Sequence, residues 1–457
     1  MRLNKNIILA GLLSAGLAFP LTAFATNGYF SIGYGPKSRG LAGASVAHST
    51  DSMAAAVNPA GISNVGHRAD FSVELFSPIR EAQSGMGGPG AGPVHQDSQS
   101  NYFLIPSGGY VRDIGNNLTA GITIYANGGM NTSYRDNAAA LGGGASIFGA
   151  TSDAGVDLAQ MIFAPTIAWK FLPKHSIGAS LLIGYQQFKA YGLQNFCSLK
   201  AGSGGAACPA FGGIGSPGAN KGLTNQGYDR VWGLGVRVGY QGQITDNVSI
   251  GAAYSSKIGM SEFDKYDKLF AEDGDFDIPA NWSVGLAVKA TPRLTVTADI
   301  QRIEYGDIRA IANHGPTTSG LNVFAEGQGF LGANNGLGFG WDDMTIFKLG
   351  VEYNANNKWT LRGGISRGDQ PIGNDEITFN ILAPAVIETH VTAGFTYRPA
   401  GKADNEWNFA YMYAVNNEES GAFPDGFCGA GGTLNCPIKS KIEMYQHAFE
   451  LGYSWKF

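Results

Sequence analysis

The chain has 457 residues and a formal net charge of −5. Gly supplies 67 of them, about twice the usual share, while charged residues make up 15% against a typical ~25%. With 44% apolar residues this excludes a disordered chain, and the acidic balance argues against a broadly basic nucleic-acid binder.

Arg2 and Lys5 precede two apolar runs, Ile7 to Leu13 and Ala15 to Phe19, and Ala23-Phe24-Ala25 fits the small-x-small rule for cleavage. Residues 1–25 are therefore expected to be a secretory signal, with an N-terminal membrane anchor as the alternative. Further on, no run of 18 apolar residues appears, which excludes a helical span. Residues 26–69 show no period-two alternation. Thr50 or Asp51 is placed to cap a short helix through Val57, which Asn58-Pro59 stops. Ala60-Gly61 then reads as a turn.

From residue 70 onward, apolar and small or polar residues alternate with period two. Phe347, Leu349, Val351 and Tyr353 alternate with Lys348, Gly350 and Glu352; Phe449, Leu451, Tyr453, Trp455 and Phe457 end the chain in the same way. The spacing predicts fourteen strands over 70–77, 101–113, 117–135, 159–171, 175–191, 228–241, 247–261, 281–291, 294–305, 344–354, 358–368, 387–398, 405–416 and 441–457. Short and long connections alternate strictly, the long ones spanning roughly 18 to 38 residues. A transmembrane β-barrel with short periplasmic turns and long extracellular loops has this rhythm; a soluble sandwich has no reason for it. The predicted fold is all-β, a 14-stranded antiparallel barrel over 70–457. Its lipid face is apolar, and its lumen face holds Arg237, Asp299, Lys348, Glu352 and Arg362. A plug over 26–69 is expected inside.

The four cysteines form two local pairs in Gly-rich loops, Cys197 with Cys208 and Cys428 with Cys436. Two short disulfides fit an oxidising compartment, with a metal site as the alternative. The seven His show no metal-ligand spacing, and no cofactor or metal is expected. Gly364-Ile365-Ser366-Arg367-Gly368 matches a nucleophile-elbow pattern, but it ends a strand instead of starting a helix.

The stretch Gly33-Tyr34-Gly35-Pro36-Lys37-Ser38-Arg39-Gly40, then Ala42 to Ala47, then Asn58-Pro59-Ala60, resembles the plug of the FadL family of outer-membrane transporters for long-chain fatty acids and related hydrophobic compounds. The resemblance implies a monomeric barrel of the bacterial outer membrane, among outer-membrane lipids and lipopolysaccharide. It also implies capture of a hydrophobic small molecule between extracellular loops, movement of the hatch, and lateral release through a wall gap at a kinked third strand. On these residues the hatch motif is Asn58, Pro59 and Ala60. The kink is Asn127, Gly128 and Gly129, with a glycine for barrel curvature as the alternative. Groove candidates are Phe196 and Phe211 in the third long loop and Leu269, Phe270 and Phe276 in the fourth, where a short amphipathic helix is expected; self-packing of these loops is the alternative. The loop from 306 to 343 adds Phe324, Phe330, Leu331, Phe339 and Trp341.

The chain departs from the fatty-acid pattern in the fifth strand. Gln186, Gln187 and Lys189 stand where fatty-acid transporters carry more cations, leaving Lys189 as the head-group candidate. Long-chain fatty acids are the expected cargo, with neutral hydrocarbons or monoaromatics as the alternative. Other readings are a diffusion porin, an outer-membrane lipid hydrolase acting through Ser366, and a structural barrel or adhesin.

Overall fold

The computed structural model describes residues 27–84, 94–135, 147–148, 152–199, 220–315, 329–400, 404–422 and 439–457. Within them fourteen principal strands follow one another around a ring: β1 Arg68–Ser84, β2 Phe103–Gly115, β3 Leu118–Tyr134, β4 Ala154–Leu172, β5 His175–Tyr191, β6 Asp229–Gln243 and β7 Val248–Ser255, then β8 Asn281–Thr291, β9 Leu294–Ile303, β10 Met344–Asn354, β11 Trp359–Gly368, β12 Thr389–Tyr397, β13 Asn405–Ala422 and β14 Lys439–Lys456. Each pairs antiparallel with the next, and β14 closes on β1 from Arg68–Lys456 to Gln83–Lys441. Closure is forced by the solvent: hydrocarbon offers no partner to a backbone N–H or C=O, so a sheet in lipid must have no open edge. Asn116 and Asn117, both at positive φ (54° and 60°), make the tight β2–β3 turn in the mirror-image geometry that matches strand twist.

The alternation read from the sequence sets the two faces. Trp232, Leu234, Val236, Phe347, Leu349, Val391 and Leu451 are exposed outward, toward lipid. Glu74, Arg237, Asp299, Lys348, Glu352, Arg362, Glu406 and Glu450 are buried inside. Strand β1 runs past Ser77-Pro78, beyond the expected end at residue 77. Its pairing with β2 ends at Phe76–Phe103, so Pro78 removes no donor from that ladder. The seventh strand stops at Ser255 instead of 261, and Gly259–Met260 rejoins β6 separately.

Residues 27–67 fill the lumen. A four-residue helix, Pro36–Arg39, is followed by 3₁₀ turns at Ser52–Ala56 and Pro59–Asn64. Asp51 caps the first turn, its side chain accepting from Met53 N at 3.0 Å. The expected turn at Ala60-Gly61 is part of the second, which Asn58 caps by accepting from Ala60 N at 3.1 Å. Asn58 Nδ2 also donates to Val46 O and to Tyr240 O, each at 2.9 Å. The motif lodges in a notch made by Gly178 and Gly239, opposite each other on β5 and β6. A Cβ on Gly178 would stand 2.5 Å from Ala60 N, and one on Gly239 would stand 2.1 Å from Asn58 Oδ1.

The opposite wall holds the segment by charge. Arg39 donates to Glu74 (2.6 Å) and Glu450 (2.8 Å), and Lys37 to Glu406 (2.6 Å), all buried. Arg68 bridges Asp70 (2.7 Å) and Glu406 (3.3 Å). Arg39→Met would leave Glu74 and Glu450 confronting each other without that cation. Breaking such a buried pair costs about 3–5 kcal/mol. The variant is expected to unfold at a correspondingly lower denaturant midpoint, with Glu74→Gln added in cis recovering part of the loss. An unchanged midpoint would contradict this holding role.

Candidate functional site

The long loops at one end of the barrel fold over its mouth and enclose an apolar cleft. Its walls come from β4 (Val156), β5 (Phe188) and four loops: Leu193 and Phe196, Leu269 and Phe270, Leu331 to Phe339, and Phe379 with Leu382. Phe196, Leu269 and Phe270 thus share one cleft, and Phe276 lies a ring further in. Phe211 and Phe324 lie outside the described residues, as do Cys208, Cys428 and Cys436 and the proposed signal. Cys197 is disulfide-bonded. Sequence reasoning missed Phe188, Phe379 and Leu382; Phe188 has the inward parity of β5, a usable signal, whereas loop residues carry no period. The cleft has free space of only about 30 Å³, on the order of one water molecule, so a cargo molecule must part its rings.

The rings continue inward. Phe188 and Phe270 have centroids 4.8 Å apart, Phe270 and Phe276 4.8 Å, and Phe276 and Tyr29 6.3 Å. Tyr29 then meets Phe30 (5.5 Å), Tyr305 (5.1 Å) and Trp341 (5.9 Å). The expected helix in the 262–280 loop is reduced to two short turns, one of them the distorted four-residue segment Ala271–Gly274. A 3₁₀ turn covers Asp264–Tyr266, and Glu272 and Asp273 take left-handed conformations (φ 56° and 57°) that break any regular helix after Ala271.

The series ends at a discontinuity in the wall. β2 pairs with β3 only up to Gly108–Ile124, although β3 continues to Tyr134. Between Ala126 and Gly128 the β3–β4 register shifts, so Asn127 forms a bulge. The edge that β2 leaves free is taken by the lumen segment: Phe30 bridges Gly128, Ser31 N donates to Asn127 O (3.1 Å) and Gly129 N donates to Tyr29 O (3.3 Å). Gly128 has no room for a side chain, since a Cβ would fall 1.7 Å from Tyr29 O. Pro106, on the free β3-facing stretch of β2, was the unread signal: a proline inside a barrel strand marks an unpaired edge.

Lys189 does not enter the lumen. It shares the face of Leu181 and Tyr185, which points outward, and its ammonium lies over the Tyr191 (5.1 Å) and Tyr228 (4.7 Å) rings. Strand parity fixes this, and the head-group assignment is corrected. The inward cations are elsewhere. Arg237 donates to Ala55 O, Ala56 O and the Tyr125 hydroxyl, and Lys348 to Gln301 and Ile32 O. Both line a small polar cavity beside the lumen segment, with Asp299. Ser366 Oγ lies 3.2 Å from His390 Nδ1, but on a straight strand, and among the described residues no acid orients His390 through Nε2.

A closed antiparallel barrel with an apolar exterior, a filled lumen and an apolar loop cleft defines an outer-membrane transporter of hydrophobic compounds. The family described as outer membrane protein transport protein (OMPP1/FadL/TodX) matches residues 21–423, and the chain belongs to it. Among curated proteins no relative matches the chain. Its fold is similar to that of the P. putida toluene transporter TodX (20% identity, 93% of this chain and 99% of that one, TM-score 0.65). It is also similar to a Pseudomonas aeruginosa FadL homologue (16% identity, 94% and 100%, TM-score 0.65) and to the CymD monoaromatic hydrocarbon channel (15%, 94% and 99%, TM-score 0.55).

The 262–280 loop, which supplies Leu269 and Phe270 to the cleft, also carries a titratable pair. Burial, then the neighbouring Asp277 charge, push the Asp275 carboxyl from 3.8 up to about 7. Asp277 itself pairs with Lys257 at 2.5 Å and accepts from Met260 N at 2.7 Å. Protonated, Asp275 shares its proton with Asp277; ionised, two carboxylates confront each other. A raised value means that its contribution to loop closure is complete below the ordinary 3.8 and is lost as pH rises through about 7. Residues 262–280 are expected to show stronger protection from hydrogen exchange, corrected for intrinsic rates, at pH about 5.5 than at about 8.5. Asp275→Asn is expected to flatten the difference. Equal protection of the native loop at both values would contradict it.

Proposed function

We propose that the protein takes up uncharged hydrophobic molecules of single-ring size, monoaromatic hydrocarbons and their relatives, by capture in the loop cleft, movement of the lumen hatch and lateral release between β2 and β3. The observation that carries this reading is the unbroken ring series from Phe188 and Phe270 through Phe276 to Tyr29 and Phe30. It ends where Phe30 bridges Gly128 in the discontinuous wall. Binding sites are mostly apolar with a few orienting polar groups, and this path has that character. Two channels of similar fold are named for toluene and for monoaromatic hydrocarbons.

Residues 27–67 act as the hatch in this reading. Tyr29 to Ser31 serve as a removable strand on the free edge of β3. Displacing them opens a side exit into the bilayer, which spares an apolar cargo the aqueous periplasm. Asn58, Pro59 and Ala60, seated against Gly178 and Gly239, are the fulcrum about which the segment shifts.

Long-chain fatty acids remain a second reading. Arg237 favours it: the guanidinium is buried, and among the described residues no carboxylate pairs with it. Cells lacking the protein are expected to lose uptake of labelled toluene, with restoration by the native chain. Phe276→Asp, which sets a charge in the ring series, is expected to restore it at least about ten-fold less well. Normal toluene uptake in the deletion, with loss of oleate uptake instead, would overturn the ring-size reading in favour of fatty acids.

A further inference from the structure

Gln160 on β4 and Gln186 on β5 stand directly opposite each other and point inward. Both are completely buried. Gln160 Oε1 accepts from Asn127 Nδ2 at 2.9 Å, leaving its Nε2 without a well-formed hydrogen bond among the described residues. Gln186 Nε2 donates to Phe276 O at 3.0 Å, leaving its Oε1 without a partner among the described residues. The Tyr29 hydroxyl, also buried, faces Gln160 and closes no hydrogen bond of good geometry. One amide donor, one amide acceptor and one hydroxyl therefore stand beside the Phe276–Tyr29 ring pair without a well-formed hydrogen bond among the described residues. Orphaned polar groups in a packed interior are costly, and leucine at either glutamine position would remove the cost.

We propose that Gln160, Gln186 and Tyr29 form a selectivity station in the ring path for uncharged, oxygen-bearing aromatics, so that phenolic or carbonyl-bearing cargo is preferred over the bare hydrocarbon. This rests on the uptake reading above and refines its cargo. A phenol whose ring enters between Phe276 and Tyr29 donates its O–H to Gln186 Oε1 and accepts from Gln160 Nε2. A bare hydrocarbon leaves both amides unpaired. A carboxylate fares worse. Burial chiefly, and after it the Asp277 charge, raises the Tyr29 phenol, and Asp277 is already engaged with Lys257. Lys189 points outward. On β6, the Arg237 guanidinium is turned to Ala55 O, Ala56 O and the Tyr125 hydroxyl instead. A site built to hydrogen-bond a hydroxyl discriminates strongly against the analogue without one.

The test is the affinity of the purified full-length protein in detergent for p-cresol, toluene and benzoate. The native chain is expected to bind p-cresol at least about ten-fold more tightly than toluene. In the Gln160→Leu/Gln186→Leu variant that ratio is expected to fall to about one or below. Toluene bound as tightly as p-cresol by the native protein, benzoate bound more tightly than p-cresol, or an unchanged ratio in a folded double variant would each overturn the station. The native ratio decides alone if the double variant does not fold. Toluene uptake without any cresol preference sinks only this inference, whereas absence of uptake of every aromatic sinks the function it rests on.

Discussion

Lipid supplies no hydrogen-bonding partner, and that single constraint orders the molecule. It closes the sheet, and it makes any gap in the ring a problem that another part of the chain must solve. β2 leaves β3 above Ile124, and Tyr29 to Ser31 answer the exposed edge with backbone hydrogen bonds of their own. The segment that fills the lumen is thus also wall. In the proposed route, a substrate that displaces it would expose a polar edge for as long as the exit is open, which favours rapid reclosure.

The lumen segment is gripped differently on its two sides. Toward β1, β13 and β14, carboxylates of Glu74, Glu406 and Glu450 hold Lys37 and Arg39. Toward β5 and β6 the hold is close contact of Asn58-Pro59 against Gly178 and Gly239, together with hydrogen bonds from Arg237 to Ala55 O and Ala56 O. Removing either partner of a buried ion pair is costly, whereas on the β5–β6 side no carboxylate pairs with Arg237 among the described residues. The ring series runs down the β3–β6 side, where the grip is by hydrogen bonds and close contact instead of ion pairs.

Much of this was legible in the sequence. The period-two alternation places Lys348 and Glu352 inward and Phe347 and Leu349 outward, because a strand has only two faces. Asn127-Gly128-Gly129 reads as a break because paired glycines interrupt a strand. What could not be read is where rings from different loops meet: Phe379 and Leu382 reach the cleft through a segment without regular structure. Lys189 shows the opposite failure. Its parity with Leu181 and Tyr185 was available, and the expected chemistry of a lone cation outweighed it. Glu272 and Asp273 look like helix surface by charge, yet their left-handed backbone forbids it.

The most direct test of a hatch strand that closes a side exit is to pin that strand. Ser31 and Asn127 are hydrogen-bonded neighbours on the hatch and on β3, and residues directly opposite in such a pair lie about 4.5–5.5 Å apart at Cα, within reach of a disulfide. Uptake of labelled toluene by cells carrying Ser31→Cys/Asn127→Cys, compared with each single variant, reports on the motion. The account predicts loss of uptake when the pair is oxidised and recovery on reduction. Uptake at the level of the single variants with the bond formed would contradict it.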